Sequence, residues 1–143
     1  MHDKLSASKK GSRGMKIIFI AGPLSTGGDG SREYKAKNVE HAEKYTVALA
    51  NAGIGFFCAH SHTSLHHEKG SRAPEQFYYD LDFEFLKNVA DAVLAIPGWE
   101  KSLGARREVE WARANGLPIF FPKSPENIKE VIAWHSGTKE GDR

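Results

Sequence analysis

Cysteine is nearly absent from this sequence of 143 residues, and so is any long apolar run or any surplus of one charge. The single thiol, Cys58, excludes an internal disulfide. Set in an apolar strand, it reads as a packed side chain in a reducing compartment rather than a nucleophile. No apolar stretch approaches the roughly 20 residues of a membrane span, and the opening segment has no apolar centre of the kind a signal peptide needs. The net charge of +2 is too near neutral to argue for nucleic acid or a membrane surface. The expected location is the cytoplasm.

Several binding patterns are also missing. Gly28 and Gly30 are followed by Glu33 rather than a third glycine, so the dinucleotide pattern fails, and no Gly-Lys-Ser or Gly-Lys-Thr makes a P-loop. A flexible surface loop accounts for Gly27, Gly28 and Gly30 equally well. His60, His62, His66 and His67 have no cysteine or acidic residue interleaved at zinc spacing, and His62 and His66 share a face only on a helix. No metal and no cofactor are expected.

What is present reads as one domain with a proper core. Residues 1–14, with Lys4, Lys9, Lys10 and Arg13, read as a disordered tail or leader, and Met15 as a natural start. The domain is expected over 15–137, with a frayed end over 138–143. Residues 16–21 are a buried strand closed by Gly22-Pro23. A helix starting near Ser31 carries Val39, Ala42, Thr46 and Leu49 on its apolar face and ends at Gly53. Residues 54–59 are a second strand, 60–76 a long polar loop, and 77–89 a helix with Phe77, Leu81, Phe85 and Leu86 facing inward. Residues 92–96 are a third strand, stopped by Pro97-Gly98. Ser102 caps the next helix, which buries Ala105, Val109 and Ala112 and ends at Asn115-Gly116. Residues 117–121 are a fourth strand. Ser124, Pro125 and Glu126 then open a last helix with Ile128, Val131, Ile132 and Trp134 inward.

Four strands alternating with helices predict an α/β three-layer sandwich. Its sheet is flavodoxin- or Rossmann-like and parallel, in the order 2-1-3-4, with room for a small edge strand. Ligands collect in such folds at the carboxyl ends of strands 1 and 3, where the order reverses. Gly22 lies there, and a glycine lets a ligand approach the backbone closely. His60 is expected on the same rim as a ligand contact in a solvated loop. Ser102 and the helix start after it form an anion site. Glu108 borders the inward face of that helix, where a carboxylate near the helix start is expected to stay ionised and to support positive charge on a sugar. It reads equally well as a surface charge beside Arg106 and Arg107. Asp80 and Asp82 are two apart and cannot share a helix face, so at most one enters the site. Asp91, beginning the third strand, reads as structural.

The segments Phe19-Ile20-Ala21-Gly22-Pro23-Leu24, Ala90-Asp91-Ala92-Val93 and Ser102-Leu103-Gly104-Ala105-Arg106-Arg107-Glu108 together resemble the nucleoside 2-deoxyribosyltransferase superfamily. That superfamily includes the 2′-deoxynucleoside 5′-phosphate N-hydrolases. The texture is nearest to prokaryotic and phage members that share the Pro97-Gly98-Trp99-Glu100-x-Ser102-x-Gly104 core. The resemblance implies that Glu108 is the catalytic glutamate, acting at the anomeric carbon through an oxocarbenium-like state. It implies that Asp82, with Asp80 as a substitute, handles the leaving base. Ser102 and Gly104 match the loop that holds the sugar 5′ end and its phosphate. Gly22, with Pro23 beside it, matches the close-approach glycine. Two departures stand out: Phe19 replaces a tyrosine whose hydroxyl assists many relatives, and Arg106-Arg107 replaces small and aromatic residues. Either arginine is a phosphate ligand by chemistry.

The expected activity is hydrolysis of the N-glycosidic bond of a nucleoside 5′-monophosphate or nucleoside. The alternatives are deoxyribosyl transfer between bases and a catalytically silent nucleotide-binding module. A homodimer or larger assembly is implied by the resemblance, with Trp99, Trp111, Tyr78 and Tyr79 available to an interface. No nucleic acid or membrane partner is expected.

Overall fold

β-branched and aromatic side chains in succession make the first strand, β1 (Ile17–Ala21), which is buried from both sides. The computed structural model describes residues 14–23, 31–63 and 66–137. After β1 come α1 (Arg32–Asn51), β2 (Gly55–Phe57), the short α2 (Ala59–Thr63), α3 (Glu75–Asn88), β3 (Ala92–Ala95), α4 (Leu103–Ala114), β4 (Ile119–Phe120) and α5 (Lys129–Ser136). Single 3-10 turns lie at His67–Lys69 and Trp99–Lys101. The four strands of the described sheet are parallel, in the order β2-β1-β3-β4. This is the α/β architecture that the alternating pattern predicts.

The period-2 alternation of the strands divides the core between the two faces. Ile18, Ile20, Ala92, Leu94 and Ile96 pack under α1 and α5, against Ala42, Tyr45, Leu49, Ile128 and Val131. Phe19, Ala21, Val93 and Ala95 pack under α3 and α4, against Leu86, Ala105, Val109 and Ala112. Each fully buried aliphatic of this kind contributes roughly 1.5–3 kcal/mol. Tyr45, 1% exposed on α1, is the largest fully buried side chain and was not expected in the core. Cys58 is buried as a free thiol. Asp91 is structural. Its Oδ2 accepts the Ile17 N–H at 2.8 Å, and its own N–H donates to Ile17 O at 2.8 Å.

Several boundaries differ from the expected ones. The stretch 60–76 is not one loop, because α2 and a 3-10 turn occupy part of it; α2 ends at Thr63, so His62 and His66 do not share a helix. Helix α3 starts at Glu75, and Phe77 on its first turn is 49% exposed rather than inward. Ser124 does not cap the last helix. Its carbonyl accepts the Asn127 N–H at 3.0 Å in an isolated turn, and α5 begins only after Ile128 has been placed in the core. That start turns Ile132 outward, 45% exposed. Among the described residues, no helix is long and apolar enough to cross a membrane. The expected tail at 1–14 falls outside the described residues except for Gly14, and the segments 24–30 and 138–143 fall outside entirely.

Candidate functional site

The order of the sheet reverses between β1 and β3, so their carboxyl ends open a crevice. Gly22-Pro23 leaves it on one side and Pro97 to Ser102 on the other. Ser102 is 5% exposed and caps α4, its hydroxyl accepting the Ala105 N–H at 3.2 Å. That bond aims the first turn of α4, with its outward amides, at the crevice rim.

Helices α3 and α4 meet on one face of the sheet, and Gly104 is a point of close contact. A Cβ there would stand 3.4 Å from the Tyr79 ring. Tyr79 and Asp82 are three apart on α3 and therefore share a face. Among the described residues, buried Asp82 Oδ1 has no hydrogen-bond partner, and burial lifts the carboxyl from 3.8 to about 7. Glu108, half-buried on α4, is pushed well above the ordinary carboxylate range, first by burial and then by the Asp82 charge. The Tyr79 phenol rises as well, through burial and the charges of Glu75, Glu108 and Asp82, while Arg107 pulls it down. The structure thus gathers Tyr79, Asp82 and Glu108 into one desolvated group. Burial under α3 thus works against the ionised form that the place of Glu108 near a helix start predicts. Two neighbouring carboxyls in such a place resist ionising together. The sequence offers Tyr79 as an interface aromatic or a core one. The i, i+3 spacing to Asp82 was the signal that could have found it.

The remaining residues stand apart from this group. Asp80 is exposed and accepts from Gln76 Nε2 at 2.8 Å, on the other side of α3. Arg106 is exposed, and its Nη1 donates to Glu100 O at 2.6 Å, bracing the Trp99–Lys101 turn against α4. His60 is corrected from a solvated ligand contact to a buried side chain, 4% exposed on α2, with Nε2 2.8 Å from Pro23 O and 3.2 Å from Gly22 O. Burial lowers its pKa, so the ring is neutral. Pro23 is buried above it.

The reason for glycine at position 22 is also corrected. A Cβ there would fall 2.6 Å from Ile96 Cγ1, so a core side chain, not open space for a ligand, fills the notch. Gly22→Ala is expected to cost roughly 1–3 kcal/mol by overpacking. Ile96→Ala is expected to cost roughly 2–5 kcal/mol by leaving a cavity. Urea unfolding of the double variant should show less than the sum of the two, since each change relieves the other. Strict additivity would disprove the fit.

A family model described as "Domain of unknown function (DUF1937)" matches residues 16–123. No curated protein matches the sequence.

Proposed function

The chain belongs to the DUF1937 family, a description that assigns no reaction, and from the site itself we propose that the protein cleaves the N-glycosidic bond of a nucleoside 5′-monophosphate or nucleoside. The observation that carries this reading is the desolvated pair Asp82 and Glu108, with one carboxyl oxygen lacking a partner among the described residues, beside the start of α4. A glycoside is cleaved by two carboxyl groups that divide the work. As the C–N bond breaks, its electron pair stays on the base nitrogen, which takes a proton from the pair. The charge left on the pair faces the anomeric carbon through Glu108, either bonding to it or screening the cation. Water then supplies hydroxyl to that carbon and returns a proton to the pair. Coupled acids with raised pKa values suit this cycle, because one proton and one negative charge are needed together.

The rest of the site has matching parts. Tyr79 brings a phenol to the carboxyl pair, where Phe19, 1% exposed in the core, has no hydroxyl to offer. The first turn of α4, capped by Ser102, suits a 5′-phosphate. Arg106 is engaged with Glu100 O, which leaves Arg107, whose charge reaches Tyr79, as the better placed cation. A homodimer or larger assembly belongs to the same reading. Phe77 and Leu103, 49% and 43% exposed on the first turns of α3 and α4, leave apolar surface for it. The buried free thiol of Cys58 fits the cytoplasm as the proposed setting.

The test is incubation with a panel of ribo- and deoxyribonucleosides and their 5′-monophosphates, with free base followed by chromatography. Release from at least one of them is expected. Binding without release anywhere on the panel would leave a silent binding module instead. A new nucleoside appearing when a second base is added would make the reaction transfer.

A further inference from the structure

Two histidines outside the carboxyl group hold the two loops that form the crevice. The β1–β3 pairing ends where the Ile96 N–H donates to Ala21 O at 2.9 Å. Just beyond, each chain passes through a proline, Pro23 or Pro97, which has no N–H to extend the ladder. The carbonyls there meet imidazole instead. His60 Nε2 lies within hydrogen-bond distance of both Pro23 O and Gly22 O, and His41 Nε2 lies 3.0 Å from Pro97 O. A carbonyl only accepts, so each of these nitrogens carries a hydrogen. In the neutral His60 ring Nδ1 is then an acceptor, and Cys58 Sγ lies 3.7 Å from it with a thiol hydrogen to give. The loops touch as well: a Cβ on Gly98, which has φ +96°, would stand 3.2 Å from Pro23 Cγ.

We propose that His60 is a positioning residue, an Nε2–H imidazole that sets where the Gly22–Pro23 turn stands against Pro97–Gly98, with His41 holding the facing loop. Burying an imidazole is costly unless its polar atoms are bonded. Here the bonds of Nε2 go to the two carbonyls at the crevice rim. The spacing of the rim is set from behind by side chains, because the backbone ladder has ended. This deepens the proposed glycosidase reading only in its kinetic consequence, and the geometric claim stands without it.

The experiment compares His60→Leu, which removes the N–H at similar volume, with His60→Gln, whose amide reaches the same carbonyls. Long-range proton–nitrogen NMR on the wild-type protein should show His60 as the Nε2–H tautomer. In His60→Leu the backbone amides of Gly22 and of Gly98, across the crevice, should both shift, and His60→Gln should bring both back. An Nδ1–H tautomer, or a Gly98 amide that does not respond, would overturn the proposal. If His60→Leu does not fold, the tautomer and the half-buried His41→Leu, read at the same two glycines, decide it. On a cleaved substrate, His60→Leu should lose roughly 10- to 100-fold in kcat/KM with unchanged pH midpoints, since misplacement rather than proton transfer is at fault. His60→Gln should stay near wild type. A loss that Gln does not rescue would count against positioning. A wild-type protein that releases no base would end the glycosidase reading and leave the NMR comparison to judge the clamp alone.

Discussion

Glu108→Gln is expected to lower base release on the order of 10³-fold or more while leaving the fold and substrate binding in place. Glutamine has nearly the volume of glutamic acid, so the α3–α4 packing around position 108 is retained. The change removes only the ability to carry a negative charge or give a proton. Stability should not fall, because Glu108 is already driven toward its neutral form by burial and by Asp82. An inactive variant that binds the nucleotide and melts at or above the wild-type temperature is therefore the predicted outcome. Asp82→Asn should also be slow, since an amide cannot protonate the leaving base, and substrates whose base leaves easily should suffer least. Chromatographic release rates for the three proteins decide the matter. Wild-type turnover in Glu108→Gln would remove that residue from the chemistry.

The same pair predicts an unusual dependence of stability on pH. Asp82 and Glu108 both hold a proton more tightly in the folded chain than in the unfolded one. Folding is thus favoured below the unfolded carboxyl range, and this stabilisation is lost as pH rises, for Asp82 between 3.8 and about 7 and for Glu108 above the ordinary carboxylate range. The rise at Asp82 converts to about 4 kcal/mol at most. Screening by solvent at a partly exposed group leaves on the order of 1–2 kcal/mol. His60 acts in the opposite sense, because its lowered pKa means that stability is lost as pH falls below its ordinary range. Comparing wild type with Asp82→Asn cancels the His60 contribution. The variant should gain melting temperature relative to wild type as pH rises from 5 to 8, and Glu108→Gln should likewise flatten the decline. A wild-type protein that grows more stable than Asp82→Asn over that range would contradict the placement of the carboxyl.

The parts of this fold that were legible in the sequence are those with local causes. β1 and β3 follow from apolar runs ended by Gly22-Pro23 and Pro97-Gly98, and the α4 cap follows from Ser102. Strand order followed from alternation and handedness. What was missed depends on contacts between elements. Whether Asp80 or Asp82 faces α4 is settled by how α3 lies on the sheet, which periodicity near Leu81 and Phe85 leaves open. The raised pKa of Glu108 was not legible because burial by α3 cannot be seen from α4 alone. His60 sits in a polar-looking stretch, and its bonds to Gly22, Pro23 and Cys58 offset the cost of burying it. The outward turn of Ile132 follows from one broken turn at Ser124, where cap and proline signals pointed to a helix.

The two-way bond between Ile17 and Asp91 has a consequence for how the chain assembles. It joins positions 74 residues apart, so it cannot form until β2, α1, α2 and α3 lie compactly enough for the ends to meet. Closing so long a loop is entropically costly and slow, and little is gained until β1 and β3 begin to zip. The Asp91 carboxyl rewards only one alignment at that moment. A slip by one residue would turn Ile18 and Ile20 toward the α3–α4 layer and forfeit the bond as well. The Asp91 carboxyl therefore fits one alignment of β1 and β3 alone, at the end of the sheet opposite the crevice.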